Sequence, residues 1–172
     1  MKKLISIFLF LFPMLVNAQS DKITEVCGVK LGSSLTSAKT ILNERFGEPF
    51  NETDNSLTYT FESYGGVDFN FLSFDFTKNG SRTYLNEVSL FSIHETKAEA
   101  EKHREQIAEA VKRNYSLTQD TDSDGNRRYR GGTSPLNSEK YGFVISVFKN
   151  NNEKYPWTSR LRYGPYGYGE SF

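Results

Sequence analysis

Hydrophobic and polar residues alternate with a period of two along several segments of the chain, and this pattern predicts β-strands. The segments lie around Leu57 to Phe61, Val67 to Phe76, residues 87–93, residues 117–119, residues 128–130, Phe143 to Val147 and Trp157 to Tyr163. Phe71 and Phe74 have opposite parity, and a β-bulge across Leu72-Ser73 would keep both rings on the core face. Asn79-Gly80 predicts a hairpin with a type I′ turn between the second strand and the third.

Two other segments have the period of an amphipathic helix. The first follows Ser34, a good N-cap, and its apolar residues recur at i, i+3, i+4 and i+8 from Ala38. The second begins at the capping box formed by Thr96 and Glu99 and extends to about Asn114. Each helix therefore precedes a group of predicted strands.

The order of elements is the same in the two halves of the chain. Gly65-Gly66 in the first half corresponds to Gly131-Gly132 in the second, which predicts pseudo-repeats of helix, strand, strand and strand over about 28–94 and 95–168. Two such units would form one α+β domain over residues 19–172, with an antiparallel sheet and two helices packed on one of its faces. An unduplicated α+β domain with the same content is the alternative.

A family resemblance rests on the first helix and the residues around it. Gly28 to Ser34, then Ala38, Ile41-Leu42 and Phe46-Gly47-Glu48-Pro49, resemble the helix-opening pattern of the BLIP/SmpA-like (BamE-like) superfamily. This superfamily includes β-lactamase-inhibitor proteins and small outer-membrane-assembly lipoproteins. The resemblance implies a tandem repeat of helix and antiparallel sheet and a non-enzymatic, protein-binding role in the envelope. This chain departs from the family in having one predicted helix per half and no lipid-bearing cysteine, and the resemblance carries over no binding site.

The first 18 residues have the pattern of a signal peptide. Lys2 and Lys3 precede a 13-residue apolar stretch from Leu4 to Val16, and Ala18 follows as the expected cleavage position. Such a stretch would span about 20 Å as a helix, less than the roughly 30 Å of a bilayer core. We therefore expect a protein that is periplasmic or secreted after cleavage, with no membrane span in the mature chain.

Composition and charge exclude several function classes. The chain has 21 basic and 21 acidic residues, and loss of Lys2 and Lys3 with the leader leaves a net charge of −2. A nearly neutral protein lacks the basic face that nucleic-acid binding requires. Aromatic residues make up 15% of the chain, too many for a disordered segment. Cys27 is the single cysteine, and its alternation with Val29 predicts a small buried hydrophobe.

One segment has part of a calcium-binding motif. Asp120, Asp122 and Asp124 provide oxygen ligands at positions 1, 3 and 5, and Gly125 occupies position 6. Position 12, where a bidentate Glu would complete the coordination, is Gly131. A polar hairpin turn is the alternative interpretation, and calcium is the single cofactor that the sequence suggests.

The sequence offers little for catalysis. His94 and His103 are its two histidines, and neither has the spacing of a metal-binding helix motif or a nucleophile elbow nearby. We expect His94 to be exposed at a strand end and His103 to pair with Glu99 on a helix surface. The protein is therefore predicted not to be an enzyme.

Two groups of residues are candidates for binding a partner. Arg128 and Arg130 share one strand parity, as do Arg160 and Arg162, so these guanidinium groups could line one solvent face if their strands are neighbours. An outer face on which the arginines pair with local acids is the alternative. Tyr166 and Tyr168 in the glycine-rich tail could stack on a ligand, or could lie over the edge of the sheet.

Two function classes remain. The first is an exported, non-enzymatic module that binds an extracytoplasmic protein or another envelope component through its sheet face or loops. The second is a small-ligand or glycan-binding protein, assisted by calcium, with Tyr166, Tyr168 and the Asp120 to Asp124 loop close together in space.

Overall fold

A computed structural model of the chain describes residues 22–60, 63–135 and 140–165. The predicted signal peptide, residues 1–18, lies outside these ranges, as do Tyr166 and Tyr168. Within the described residues, none of the helices is long and apolar enough to cross a membrane.

Among the described residues, the first half of the chain contributes one helix and eight strands. In chain order they are β1 (Glu25–Val26), β2 (Val29–Lys30), α1 (Leu35–Phe46), β3 (Asn51–Thr53), β4 (Ser56–Thr60), β5 (Ser63–Tyr64), β6 (Val67–Asp68), β7 (Phe71–Asn79) and β8 (Arg82–His94). The side chain of Ser34 accepts a hydrogen bond from the amide of Ser37, which confirms the predicted N-cap of α1.

The described part of the second half contributes one helix and four strands. They are α2 (Lys97–Val111), β9 (Leu117–Thr121), β10 (Arg127–Thr133), β11 (Tyr141–Lys149) and β12 (Trp157–Tyr163). Both hydrogen bonds of the capping box between Thr96 and Glu99 are present at the start of α2.

Eight of the strands form one antiparallel sheet with the order β3-β4-β7-β8-β12-β11-β10-β9. Each half supplies four neighbouring strands, and the halves meet where β8 pairs with β12. The predicted antiparallel sheet and two helices are therefore confirmed. Each half, however, has four strands in the sheet rather than the predicted three. Internal duplication stays a prediction.

The hydrophobic core joins both helices to the sheet. Leu42 of α1 and Ile107 of α2 belong to the same cluster of buried side chains as Phe74, Leu90 and Ile145 of the sheet. In a strand, residues on either side of a core residue point to the opposite face. The residues that alternate with the core positions therefore form the other face of the sheet.

The predicted position of Phe71 is wrong. Its ring is half-buried on the face opposite the core, whereas Leu72 and Phe74 are fully buried in the core. The chain leaves the short strand β6 and bends at Asn70, whose amide donates to the carbonyl of Phe91 and to the hydroxyl of Ser92. The parity therefore changes at a break between two strands, and no bulge is needed at Leu72-Ser73.

The irregularity in this hairpin lies further along the chain. The register between β7 and β8 shifts between Asp75 and Phe76, because Asp75 is opposite Glu87 whereas Phe76 is opposite Leu85. The hairpin itself is present, with Asn79 paired to Arg82. Its two turn residues are therefore Gly80 and Ser81, one position later than predicted.

Cys27 lies in a tight turn, and we predict that its thiol reacts slowly in the native protein. Cys27 and Gly28 connect β1 to β2, and both have positive φ angles, 52° and 81°. The side chain is buried, and burial raises the pKa of the thiol to about 11. The thiolate is therefore scarce at neutral pH, and modification by a thiol reagent should become at least about tenfold faster in urea. Equal rates in the native and unfolded protein would contradict this burial.

Candidate functional site

The face of the large sheet opposite the core carries rings, arginines and small polar residues. We call it the open face. Its members are Phe71, Ser73 and Asp75 on β7; Glu87, Ser89, Phe91 and Ile93 on β8; Thr158, Arg160 and Arg162 on β12; Val144, Ser146 and Phe148 on β11; and Arg128 and Arg130 on β10.

The structure places the four candidate arginines on this face but separates them into two pairs. Arg130 is opposite Val144, and Val144 is opposite Arg162, so β11 lies between the two arginine-bearing strands. The pairs are therefore about 10 Å apart along the hydrogen-bonding direction. The strands are not neighbours because β11 pairs with both of them. The sequence alternation gives the face of each arginine but not this strand order.

The two arginine pairs differ in their counter-ions. Asp120 lies 2.6 Å from the Nε of Arg128 and 3.2 Å from a terminal nitrogen of Arg130. The hydrogen bond from Arg128 and the charge of Arg130 hold the pKa of Asp120 below its usual range. These two arginines thus match the interpretation of an outer face paired with local acids.

Arg160 and Arg162 are different, because neither forms a salt bridge within the described residues. The Nε atoms of both are buried, and no group in the described part of the chain accepts a hydrogen bond from them. Burial lowers the pKa of Arg160, and the charge of Arg162 lowers it further. Neither guanidinium group is therefore paired with a carboxylate in the described chain, although the charges of Glu87 and Asp75 partly oppose the lowering of the Arg160 pKa.

Rings line the open face beside these arginines. The ring centroids of Phe71 and Phe91 are 5.2 Å apart, and Phe50, 69% exposed, lies 6.0 Å from Phe71. The Arg160 guanidinium lies 4.7 Å from the centroid of Phe148. A cleft of about 470 Å³ runs along this surface and is lined by Phe91, Ile93, Phe148, Asn150, Asn152 and Arg160, among others.

These rings are not recognisable as a surface feature from the sequence. Alternation places Phe71 and Phe91 in strands but does not distinguish a ring on the core face from one on the open face. Phe148 follows the core position Val147, and its parity with Ser146 places it on the same side as the polar residues.

A pair of acids lies on the same face. Asp75 and Glu87 are directly opposite each other on β7 and β8. The hydroxyl of Ser73 donates to Asp75 at 3.2 Å, and the hydroxyl of Ser89 donates to Glu87 at 3.3 Å. No cation forms a salt bridge with either acid in the described ranges. Like charges at directly opposed positions are unfavourable unless a cation neutralises them.

The Asp120 to Asp124 segment covers the end of β9 and the start of the turn that leads to β10. The carboxylate of Asp122 accepts hydrogen bonds from the amides of Asp124 and Asn126 at 3.0 and 2.8 Å, as in a polar hairpin turn. Asp120 is engaged by its two arginines. Over residues 22–60, 63–135 and 140–165, no three His, Cys, Asp or Glu side chains are grouped so as to hold a metal ion.

We predict that calcium leaves the melting temperature unchanged within about 1 °C. A ligand that binds the native state raises its stability, but calcium would first have to displace two guanidinium groups from Asp120. Differential scanning fluorimetry with calcium and with chelator tests this prediction, and Asp122→Ala serves as a control for the turn. A calcium-dependent rise that Asp122→Ala abolishes would contradict it.

His94, His103 and Ser159 form a cluster that the sequence did not predict. The hydroxyl oxygen of Ser159 lies 2.8 Å from Nε2 of His94 and 2.7 Å from Nδ1 of His103. Nε2 of His103 lies 2.8 Å from the backbone oxygen of Asp68. Ser159 is fully buried, so its hydroxyl bridges α2 and the end of β8 inside the fold.

The hydrogen-bond roles follow from the chemistry of the partners. The carbonyl oxygen of Asp68 can only accept, so Nε2 of His103 donates to it, and in the neutral ring Nδ1 is an acceptor. Ser159 therefore donates to His103 and accepts from Nε2 of His94. Burial is the main cause that lowers the pKa of each histidine, against smaller opposing effects of Glu99 on His94 and of Asp68 on His103.

The structure corrects two expectations about these histidines. His94 is half-buried rather than exposed, and His103 contacts Ser159 and Asp68 rather than Glu99, which caps α2 instead. The signal that could have revealed the cluster is Ser159 itself. It alternates with the apolar Leu161 at an inward position, and a buried hydroxyl requires a partner.

Comparisons of the chain with protein-family models, with curated proteins and with solved structures find no match.

Proposed function

We propose that this chain is an exported, non-enzymatic module that binds a protein partner in the envelope or outside the cell through its open face. The leader pattern supports export, and the BLIP/SmpA-like resemblance of the first helix supports a protein-binding role. A layout in which both helices cover one face of the sheet, leaving the other for a partner, is part of the same proposal.

The observation that carries the proposal is the association of Arg160 with rings on the open face. Phe91 and Phe148 flank Arg160, whose Nε atom is buried without a hydrogen-bond partner in the described chain. Aromatic residues and arginine are enriched among the residues that contribute most to protein–protein binding. A partially exposed group of rings on a monomer surface is typical of an interaction site.

The chemistry of the site suggests how a partner would bind. A carboxylate of the partner would accept from Arg160 and Arg162, and an apolar side chain would lie against Phe91 and Phe148 in the cleft. Burial of the rings would supply affinity, whereas the charges would orient the partner.

Loss of binding by paired open-face variants tests the proposal. The full-length chain, expressed with its leader and a C-terminal affinity tag, is used to isolate a partner from the same cells. The partner is then purified and titrated against the wild-type chain and against a Phe91→Ser, Arg160→Ser variant. We expect its dissociation constant to rise at least about 100-fold, because residues of these types at an interface each contribute about 2 kcal/mol or more.

The matched control changes the same kinds of residue away from the open face. Ile41 of α1 and Arg113, which follows the end of α2, are exposed, and an Ile41→Ser, Arg113→Ser variant should bind like the wild type. If both double variants weaken partner binding equally, or if neither weakens it, the binding surface lies elsewhere.

A second candidate function uses the same cleft for a small ligand or glycan. Its volume of about 470 Å³ lies in the range of small-molecule sites, and Asn150 and Asn152 lie beside the ring of Phe148. A glycan that raised the melting temperature of the wild type, but not of Phe148→Ser, would favour this candidate over the first.

A further inference from the structure

The open face carries charges of both signs, grouped by sign, that form no salt bridge within the described chain, although the charges of Glu87 and Asp75 raise the pKa of Arg160. Arg160 and Arg162 lie on β12, whereas Asp75 and Glu87 lie on β7 and β8. Neither group forms a salt bridge with the other, although both lie on the same side of neighbouring strands. A partner that forms salt bridges with both groups must therefore carry acids opposite the arginines and cations opposite the acids.

The strand register sets the positions of the two groups relative to Ser89. Ser89 is opposite Arg162 on one side and opposite Ser73 on the other. Arg160 lies two residues further along β12, and Asp75 lies two residues beyond Ser73 in the opposite direction. The basic pair and the acidic pair thus lie at comparable distances on opposite sides of Ser89.

We propose that a second copy of this chain covers the open face, in an isologous dimer where Arg160 and Arg162 of each copy pair with Asp75 and Glu87 of the other. The inference rests on the proposed function, because it requires the open face to be a protein-binding surface. It goes further by naming the chemistry of one partner.

A single twofold axis satisfies both pairs of contacts. The axis runs parallel to the sheet through Ser89, at about 45° to the strands. Arg162 is one strand spacing, about 5 Å, from Ser89, and Glu87 is two residues, about 7 Å, along the same strand. The axis exchanges these two directions, so Arg162 of one copy faces Glu87 of the other, and Arg160 faces Asp75. After this rotation, the backbone position of each arginine lies about 2 to 3 Å to the side of the acid that it faces, and an arginine side chain is long enough to span that distance.

The other residues near this axis fit a contact between two sheets. Strands related by the axis cross at nearly a right angle, which is one of the two common arrangements of packed sheets. Ser89 and Ser73 at the centre are small, so the sheets can approach. The axis also passes close to Phe71, whose ring would meet that of the second copy. After loss of the leader the formal net charge is −2, too small for overall repulsion to oppose self-association strongly.

A charge-swap experiment tests this dimer in solution with the full chain. One variant carries Arg160→Glu and Arg162→Glu, and the other carries Asp75→Lys and Glu87→Lys. We expect the wild type to sediment as a dimer and each variant alone to dissociate at least about tenfold more readily, because like charges then face each other. Mixed in equal amounts, the two variants should form a heterodimer, since every acid then meets a cation.

The controls separate loss of the dimer from loss of the fold. A Lys102→Glu, Arg113→Glu variant changes two exposed cations, one on α2 and one just after its end, and should remain a dimer. Heterodimer formation would itself show that both charge-swap variants fold. If either variant fails to fold, the wild-type dimer should still dissociate in salt of about 1 M, where the screening length falls to about 3 Å.

Several results would overturn the inference. They are a wild type that stays monomeric at all concentrations, charge variants that dimerise like the wild type, folded variants that do not combine, and a wild-type dimer indifferent to salt. A monomeric wild type whose separate partner is lost on Phe91→Ser, Arg160→Ser substitution would refute the dimer alone. The proposed function would then stand.

Discussion

The free energy of unfolding is expected to fall steeply as the pH is lowered from about 7 to about 5, because His94 and His103 are held neutral in the fold. The two rings lie 5.3 Å apart and share the hydroxyl of Ser159. A proton on Nδ1 of His103 would end its role as acceptor and leave the buried Ser159 hydroxyl without a group to which it donates. A second proton on His94 would place two cations side by side.

The sign of the effect follows from the direction of the pKa shifts. Burial lowers the pKa of both histidines in the folded protein, whereas the unfolded chain takes up protons near pH 6.5. Below that pH the unfolded state binds more protons, so this contribution to stability is complete above about pH 6.5 and is lost as the pH falls through the lowered values. Each histidine changes the stability by at most about 1.4 kcal/mol per pH unit, and the pair by about 2.7.

Urea unfolding at a series of pH values measures this dependence. The chain has only these two histidines, so a His94→Gln, His103→Gln variant removes every imidazole while keeping an amide that can donate to Asp68. We expect the variant to lose most of the slope between about pH 7 and 5. Glu99→Gln serves as the control for the cap carboxylate, whose pKa is also lowered, by its bonds to Thr96. Equal slopes in the wild type and the double variant would contradict the account.

Replacement of Gly131 by alanine is expected to destabilise the protein by about 3 kcal/mol or more. Gly131 lies on β10 between Phe143 and Leu117, its partners on the two neighbouring strands. A Cβ atom there would lie 2.6 Å from the Phe143 ring and 2.7 Å from the backbone oxygen of Ser116. The backbone contact cannot be relieved by a rotamer change, so the strands themselves would have to move.

Gly47→Ala provides a control for backbone strain alone. Gly47 has a φ angle of 78° at the end of α1, and nothing lies within 4 Å of the added Cβ atom. It should cost about 1 to 3 kcal/mol, because a φ of 78° with a ψ of −158° is a conformation essentially confined to glycine. Urea unfolding measures both variants, and a loss below about 1 kcal/mol for Gly131→Ala would show that the β10 site relaxes easily. The close contacts around Gly131 also leave no room for a glutamate there, at position 12 of the partial calcium motif.

Local features of this fold were predictable from the sequence. The N-cap of α1 at Ser34, the capping box at Thr96 and the hairpin near Gly80 depend on residues within a few positions of one another. The parity of the four arginines was predictable for the same reason, because alternation within one strand fixes its faces. Local patterns of this kind were sufficient to predict both helices and most strands of the large sheet.

Features that depend on distant residues were not predictable. The order of strands around β11, and therefore the separation of Arg130 from Arg162, depends on how two hairpins pair. Phe71 lies on the open face because of hydrogen bonds from Asn70 to β8. The histidine cluster brings together three elements, and only the buried position of Ser159 hints at it.

Photocrosslinking inside cells tests the central claim, that the open face binds protein. A photoreactive amino acid replaces Phe148 on the open face in one chain and Ile41 on the exposed side of α1 in another, with the leader intact in both. We predict a discrete protein adduct from position 148, to a second copy or to another protein, and none from position 41. The absence of any adduct from position 148, or the same adducts from both positions, would contradict the account.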